Sequence, residues 1–148
     1  MVIFKEVLRP PIWVLAFIYF LFLSLVIALW AAFDNSVALI AFVVASIAII
    51  YIAFAMRSTI TFDGVELRID RAHIEVEYLG KVTILDSPAM RILRTRDADP
   101  AAFLAIKFWA PTGIKIEVTD PRDPTPYWLI TSKRGEEIAA LLSEPKNF

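Results

Sequence analysis

The sequence predicts an α+β membrane protein: an N-terminal two-helix transmembrane hairpin, then a small antiparallel β half-barrel closed by a C-terminal helix. Three observations predict it. Between Pro10 and Met56 the one charged residue is Asp34. After Arg57 apolar and polar residues alternate in short runs. The last stretch, near Ile138, Leu141 and Leu142, returns to helical spacing.

The hairpin comes first. Pro10 to Phe33 is an uncharged run of 24 residues and Ser36 to Met56 one of 21. At the helical rise these reach roughly 36 and 31 Å, enough for a hydrocarbon core of about 30 Å. Helices are expected at about 10–33 and 36–56, within a membrane region 1–57. Lys5 and Arg9 precede the first run, but it far exceeds a signal-peptide core of about 7–15 residues. Trp13 and Trp30 stand where two interfacial aromatic belts would lie. Lys5 and Arg9 before the hairpin, and Arg57, Arg68 and Arg71 after it, place both termini in the cytoplasm and Asp34-Asn35 outside. The expected location is the inner (plasma) membrane, crossed twice. No ionisable residue falls within either span, which argues against a transporter or channel. Ala38, Ala41, Ala45, Ala48 and Ala55 form a small-residue stripe on the second helix. Such a stripe serves packing within the hairpin or a dimer interface, and a homo-oligomer stays open.

Residues 58–148 are expected to form one soluble domain, with short strands and a closing helix. Val65, Leu67 and Ile69 alternate with Glu66, Arg68 and Asp70. Ile74, Val76 and Tyr78 alternate with His73, Glu75 and Glu77, and Ile114, Ile116 and Val118 with Lys115 and Glu117. Ile60–Phe62, Val82–Ile84, Phe103–Phe108 and Tyr127–Ile130 add further strands. Asp63-Gly64 is a hairpin signal, and Leu79-Gly80 and Pro111-Thr112-Gly113 read as breaks. Ile92-Leu93 fits a short strand or one helical turn. Ile138, Leu141 and Leu142 predict an amphipathic helix over about 133–143, capped by Thr131 or Ser132. Lys133 and Arg134 oppose its dipole.

Chemistry is sparse. There are no cysteines, one histidine and a net charge of −1, so thiolate catalysis, Cys-ligated metals and global attraction to nucleic acid are set aside. Four glycines provide no phosphate-binding loop. His73 with Glu75 makes too few ligands for a metal site, and no cofactor is expected. Arg91, Arg94 and Arg96, extended by Lys107 and Lys115, form a candidate contact for anionic lipid or a partner. Asp120, Asp123, Pro124, Pro126, Tyr127 and Trp128 form a candidate recognition loop. Its prolines fix the backbone, and its aspartates can accept backbone N–H groups in Asx turns. Tyr127 and Trp128 should point to opposite sheet faces.

Val118–Arg134 (VTDPRDPTPYWLITSKR) and Asp97–Asp120 (DADPAAFLAIKFWAPTGIKIEVTD) resemble a family of small actinobacterial two-helix membrane proteins, a domain of unknown function. The resemblance covers nearly the whole chain. It implies two membrane helices and a small cytoplasmic domain, and it brings no activity, ligand or catalytic residue. Lys133-Arg134-Gly135 stands where relatives often carry a basic pair followed by proline. The strand order with its closing helix resembles the pleckstrin-homology-like superfold. The functional expectation is a non-catalytic module in the bilayer that binds a protein partner or scaffolds a complex. The alternatives are an anionic-lipid-binding module, and a small enzyme or metal protein using His73 and nearby carboxylates.

Overall fold

The computed structural model describes residues 1–143. The chain divides into two units: Leu8–Ser58, which is helical, and Met1–Val7 with Thr59–Phe148, which is built on sheets.

In the helical unit, α1 (Ile12–Ala32) and α2 (Asn35–Ala55) pack as a hairpin. Each has 21 residues and is long and apolar enough to cross a membrane, by length and composition. Asp34 stops α1 from running on and caps α2, its carboxylate accepting from Val37 N–H at 3.0 Å. Asn35 accepts from the Trp30 indole at 2.7 Å, which closes the turn. At mid-helix the Ser46 hydroxyl donates to Phe42 O. Its lone pairs are left to accept from Tyr19 Oη, 3.0 Å away on α1. Ala38, Ala41 and Ala48 are half-buried and Ala45 is buried, so this part of the stripe lies on the covered side of α2, while Ala55 is exposed.

The sheet unit holds two four-stranded sheets. The first has the order β1 (Phe4–Leu8), β2 (Ser58–Phe62), β3 (Glu66–Ile69), β4 (Ala72–Glu75). The second has the order β5 (Leu79–Leu85), β7 (Gly113–Val118), β8 (Tyr127–Thr131), β6 (Phe103–Ala105). α3 (Ser87–Thr95) follows β5, and α4 (Gly135–Ser143) follows β8.

Several expectations change. Among the described residues eight strands form two four-stranded sheets, where the sequence predicts a single antiparallel half-barrel. One pair, β6 with β8, is parallel. The division of the chain also shifts, because β1 belongs to the sheet unit although the sequence assigns 1–57 to the hairpin. The helical unit is thus inserted between two neighbouring strands, β1 and β2.

Local chemistry explains the elements. Asp63-Gly64 makes the expected β2–β3 turn. Gly64 takes a positive φ of 92°, and Asp63 Oδ1 accepts from Val65 and Glu66 N–H. Those two bonds to its charged form hold the Asp63 carboxyl below its ordinary value. The alternation of His73–Tyr78 stops early: after Glu75 the chain turns through a single 3₁₀ turn, Val76–Tyr78. Leu79-Gly80 is no break but lies inside β5, where the ladder to β7 slips between Leu79 and Val82. Ile92-Leu93 falls on α3. Asp86 caps it through Ala89 N–H, and Pro88 sits in the first turn.

β8 is buried at all five positions, as befits a strand covered on both faces. On one face Leu129 and Tyr127 pack with Leu85 and Met90 of α3. The face carrying Ile114 meets the start of α4 at Gly135. Gly113 permits the closest approach, since a Cβ there would stand 2.2 Å from Ile130 O.

Candidate interaction surfaces

The basic segment splits on folding. α3 turns Met90 and Leu93 toward the sheet. Arg94, one turn after Met90, is half-buried, and its guanidinium Nη2 donates to Lys107 O and Ala110 O, both at 3.1 Å. Arg94 Nε is buried and has no acceptor among the described residues. Arg94 is therefore a tie to the 107–111 loop. Arg91 and Arg96 are exposed on opposite flanks of α3. Lys107 is half-buried with Nζ 5.9 Å from the Trp109 ring, and Lys115 Nζ lies 4.4 Å from the Tyr127 ring. The structure brings Arg94 against the backbone of Lys107, and Arg91 lies one turn before Arg94 on α3. Lys115 instead stands over a buried tyrosine of the second sheet.

The proline-rich loop is satisfied by its own atoms. Asp120 Oδ1 accepts from Arg122 N–H at 2.9 Å and Asp123 Oδ1 from Thr125 N–H at 2.9 Å, two Asx turns in succession. Arg122 also bonds the Asp120 carboxylate through its guanidinium and donates to Tyr78 Oη at 3.0 Å. The guanidinium first, and the Arg122 backbone N–H second, hold the Asp120 carboxyl below its ordinary value. Pro124 is exposed and Pro126 half-buried. Tyr127 and Trp128 take opposite faces: Tyr127 Oη accepts from Asp99 N–H, and the Trp128 ring packs at a tilt against Phe103, 4.5 Å between centroids. They belong to the core, which leaves the exposed part of the loop to residues 121–124.

His73 is exposed on β4 opposite Arg68 of β3. Glu75 ends that strand opposite Glu66, and Glu77 lies in the 3₁₀ turn, so the two glutamates no longer share a strand face. Among the described residues no group of three or more His, Asp or Glu side chains is placed to hold a metal.

One cluster escapes sequence reasoning. Glu6 of β1 is only 6% exposed, yet it carries a carboxylate inward. Ser132 Oγ donates to its Oε2 at 2.6 Å, and Lys133 N–H donates to its Oε1 at 2.9 Å. Ser132 Oγ in turn accepts from Arg134 N–H at 3.0 Å, and α4 begins two residues later than expected, at Gly135. Arg134 reaches back over β1, donating to Lys5 O and lying 4.6 Å from the Phe4 ring, while forking onto Glu137. The helix start that looked unfavourable, with Lys133 and Arg134 at its positive end, is thereby supplied with a buried negative charge. The pattern Phe4, Glu6, Leu8 was the signal: alternation with an acid on the inner side.

A family described as "protein of unknown function (DUF3093)" matches residues 3–142. The chain belongs to that family. The match takes in β1, both apolar helices and nearly all of α4, so the family spans the discontinuous sheet unit together with its inserted helices. No curated protein and no solved structure matches the chain.

Proposed function

We propose that this DUF3093 chain is an integral membrane protein whose hairpin crosses the bilayer twice and whose sheet unit is a cytoplasmic, non-catalytic interaction or scaffolding module. One observation carries the reading: α1 and α2 are inserted between β1 and β2, neighbouring strands of one sheet. Two strands that hydrogen-bond must lie on the same side of a membrane, so the helices cross as a pair or not at all. Removal of α1 as a cleaved signal would also take β1 out of its sheet. A soluble core helix is mostly buried, whereas only 6% of each apolar window is. Large apolar side chains along both helices, such as Phe17, Phe20, Val44 and Ile47, are exposed and call for hydrocarbon.

The interaction role is supported by how the acids are used. Asp34, Asp63, Asp86, Asp99, Asp120 and Asp123 accept backbone N–H groups at turns and caps, and Glu6 holds β1. A pleckstrin-homology-like fold is supported by two four-stranded sheets ending in a helix. α3 and the parallel β6–β8 pair depart from the simple strand order expected.

Single cysteines at Asn35 and Ala140 test the topology, because the chain has none of its own. An impermeant thiol reagent on intact cells should label position 35 and spare position 140; the reverse pattern overturns the orientation. Photo-crosslinkers placed at Arg122 and Pro124 of the full chain should yield one dominant adduct in cells. Turnover of a small substrate by the purified full chain would overturn the non-catalytic reading.

A further inference from the structure

We infer that the surface formed by α3 and the 107–111 loop docks on the anionic headgroups of the bilayer that holds the chain's own helices; this rests on the membrane reading above. Arg94 ties α3 to the loop, so Arg91, one turn earlier on the helix, Lys107 and Phe108 belong to one surface.

Its composition is that of an interface-seeking patch. Phe108 is 61% exposed and packs edge-on against Trp109, and Ile92 is 47% exposed on the outer side of α3. Basic groups neighbour them in sequence. Arg91 is exposed, and Lys107 lies over the Trp109 ring. The half-buried Arg94 guanidinium is met by two carbonyl oxygens and by no carboxylate among the described residues. Aromatic rings beside basic groups are what the headgroup layer favours, the rings at the boundary and the cations on lipid phosphates. Charge complementarity therefore selects an anionic lipid surface over a neutral one.

The sheet unit is joined covalently to the helices that hold it. The loop leads directly into Thr112, whose hydroxyl donates to Ser132 O, and Ser132 donates to Glu6. Glu6 stands on the strand that continues into α1 at Ile12. A unit joined covalently to the membrane helices needs little affinity of its own to stay docked.

The test uses the full chain reconstituted into vesicles of phosphatidylcholine, alone or with a minority of phosphatidylglycerol. A nitroxide is placed at F108C and, as a control, at V65C in the exposed β2–β3 turn. Collision with oxygen, which concentrates in lipid, is compared with collision with a water-soluble nickel chelate. In anionic vesicles the label at position 108 should favour oxygen over the nickel chelate severalfold more than the control does. R91E and K107E should each weaken docking roughly fivefold. Equal water accessibility at 108 and 65 in both vesicle types overturns the docking inference and leaves the membrane reading standing. A chain that fails to float with vesicles overturns both. Unchanged depth at 108 in R91E/K107E overturns the electrostatic basis.

Discussion

The two units are built by opposite means. The helical unit is continuous, and its bonds are short in sequence: Asp34 to Val37, Trp30 to Asn35, and Tyr19 to Ser46 as the longest. The sheet unit is discontinuous, and its defining contact joins Glu6 to Ser132 across 126 residues. The first can form as soon as its residues exist. The second needs both flanks of the first. Dependence on β1 should therefore concentrate in one unit and leave the other untouched.

The strongest way to break this contrast is to delete residues 2–7. The sheet unit should lose most of the stability of a small domain, on the order of 5 kcal/mol, while α1 and α2 keep their helicity. Pulse proteolysis and far-ultraviolet dichroism in detergent read the two units separately. A sheet unit that stays resistant to protease would show β1 to be dispensable.

A narrower cut is Glu6→Ala, which leaves the Ser132 hydroxyl and Lys133 N–H without their buried acceptor and should cost about 3 kcal/mol. Glu6→Gln keeps an acceptor oxygen and should cost about half as much. Denaturant midpoints decide it; a Glu6→Gln midpoint equal to that of the parent chain would mean that the negative charge at the α4 start contributes nothing. Tyr19→Phe tests the other unit. It removes the interhelical hydrogen bond and should cost about 0.6 kcal/mol, with the sheet unit unaffected.

The smallest effect is one of pH. The Asp63 carboxyl is held below its ordinary value of 3.8 by the backbone N–H groups of Glu66 and Val65. A depressed carboxylate adds stability that is complete above the unfolded value and is lost as pH falls through the folded one. Asp63→Asn should thus flatten the acid limb of the sheet unit's stability below about pH 4 and change little near neutrality. An identical acid limb in the variant would show that the turn carboxylate is not linked to folding.

Legibility in the sequence follows the range of the interactions. The hairpin was readable because lack of charge over a long run is a property of consecutive residues. The Asp63-Gly64 turn and the Asx turns at Asp120 and Asp123 were readable for the same reason: donor and acceptor lie within three residues. β1 was hidden because Lys5, Glu6 and Arg9 look like the charged flank of a membrane helix, and its neighbour β2 begins only at Ser58. α3 was left open between a short strand and one helical turn although Asp86-Ser87-Pro88 is a helix start, since so few apolar positions followed to set a period. The inward commitment of Arg94 had no signature at all, because its acceptors are backbone carbonyls that any residue could supply. The arginine triplet was therefore visible as charge, but its division into one tie and two exposed groups was not.

The interruption between β1 and β2 also orders events at the ribosome. β1 is synthesised before about fifty residues of intervening chain, which take roughly 3–10 seconds to make at ordinary elongation rates. During that wait it is an unpaired ribbon beside the translation machinery, open to strangers along its edge. Lys5 and the carboxylate of Glu6 make it a poor template for aggregation in that interval. The acid that later locks the finished sheet thus also serves as the nascent strand's gatekeeper.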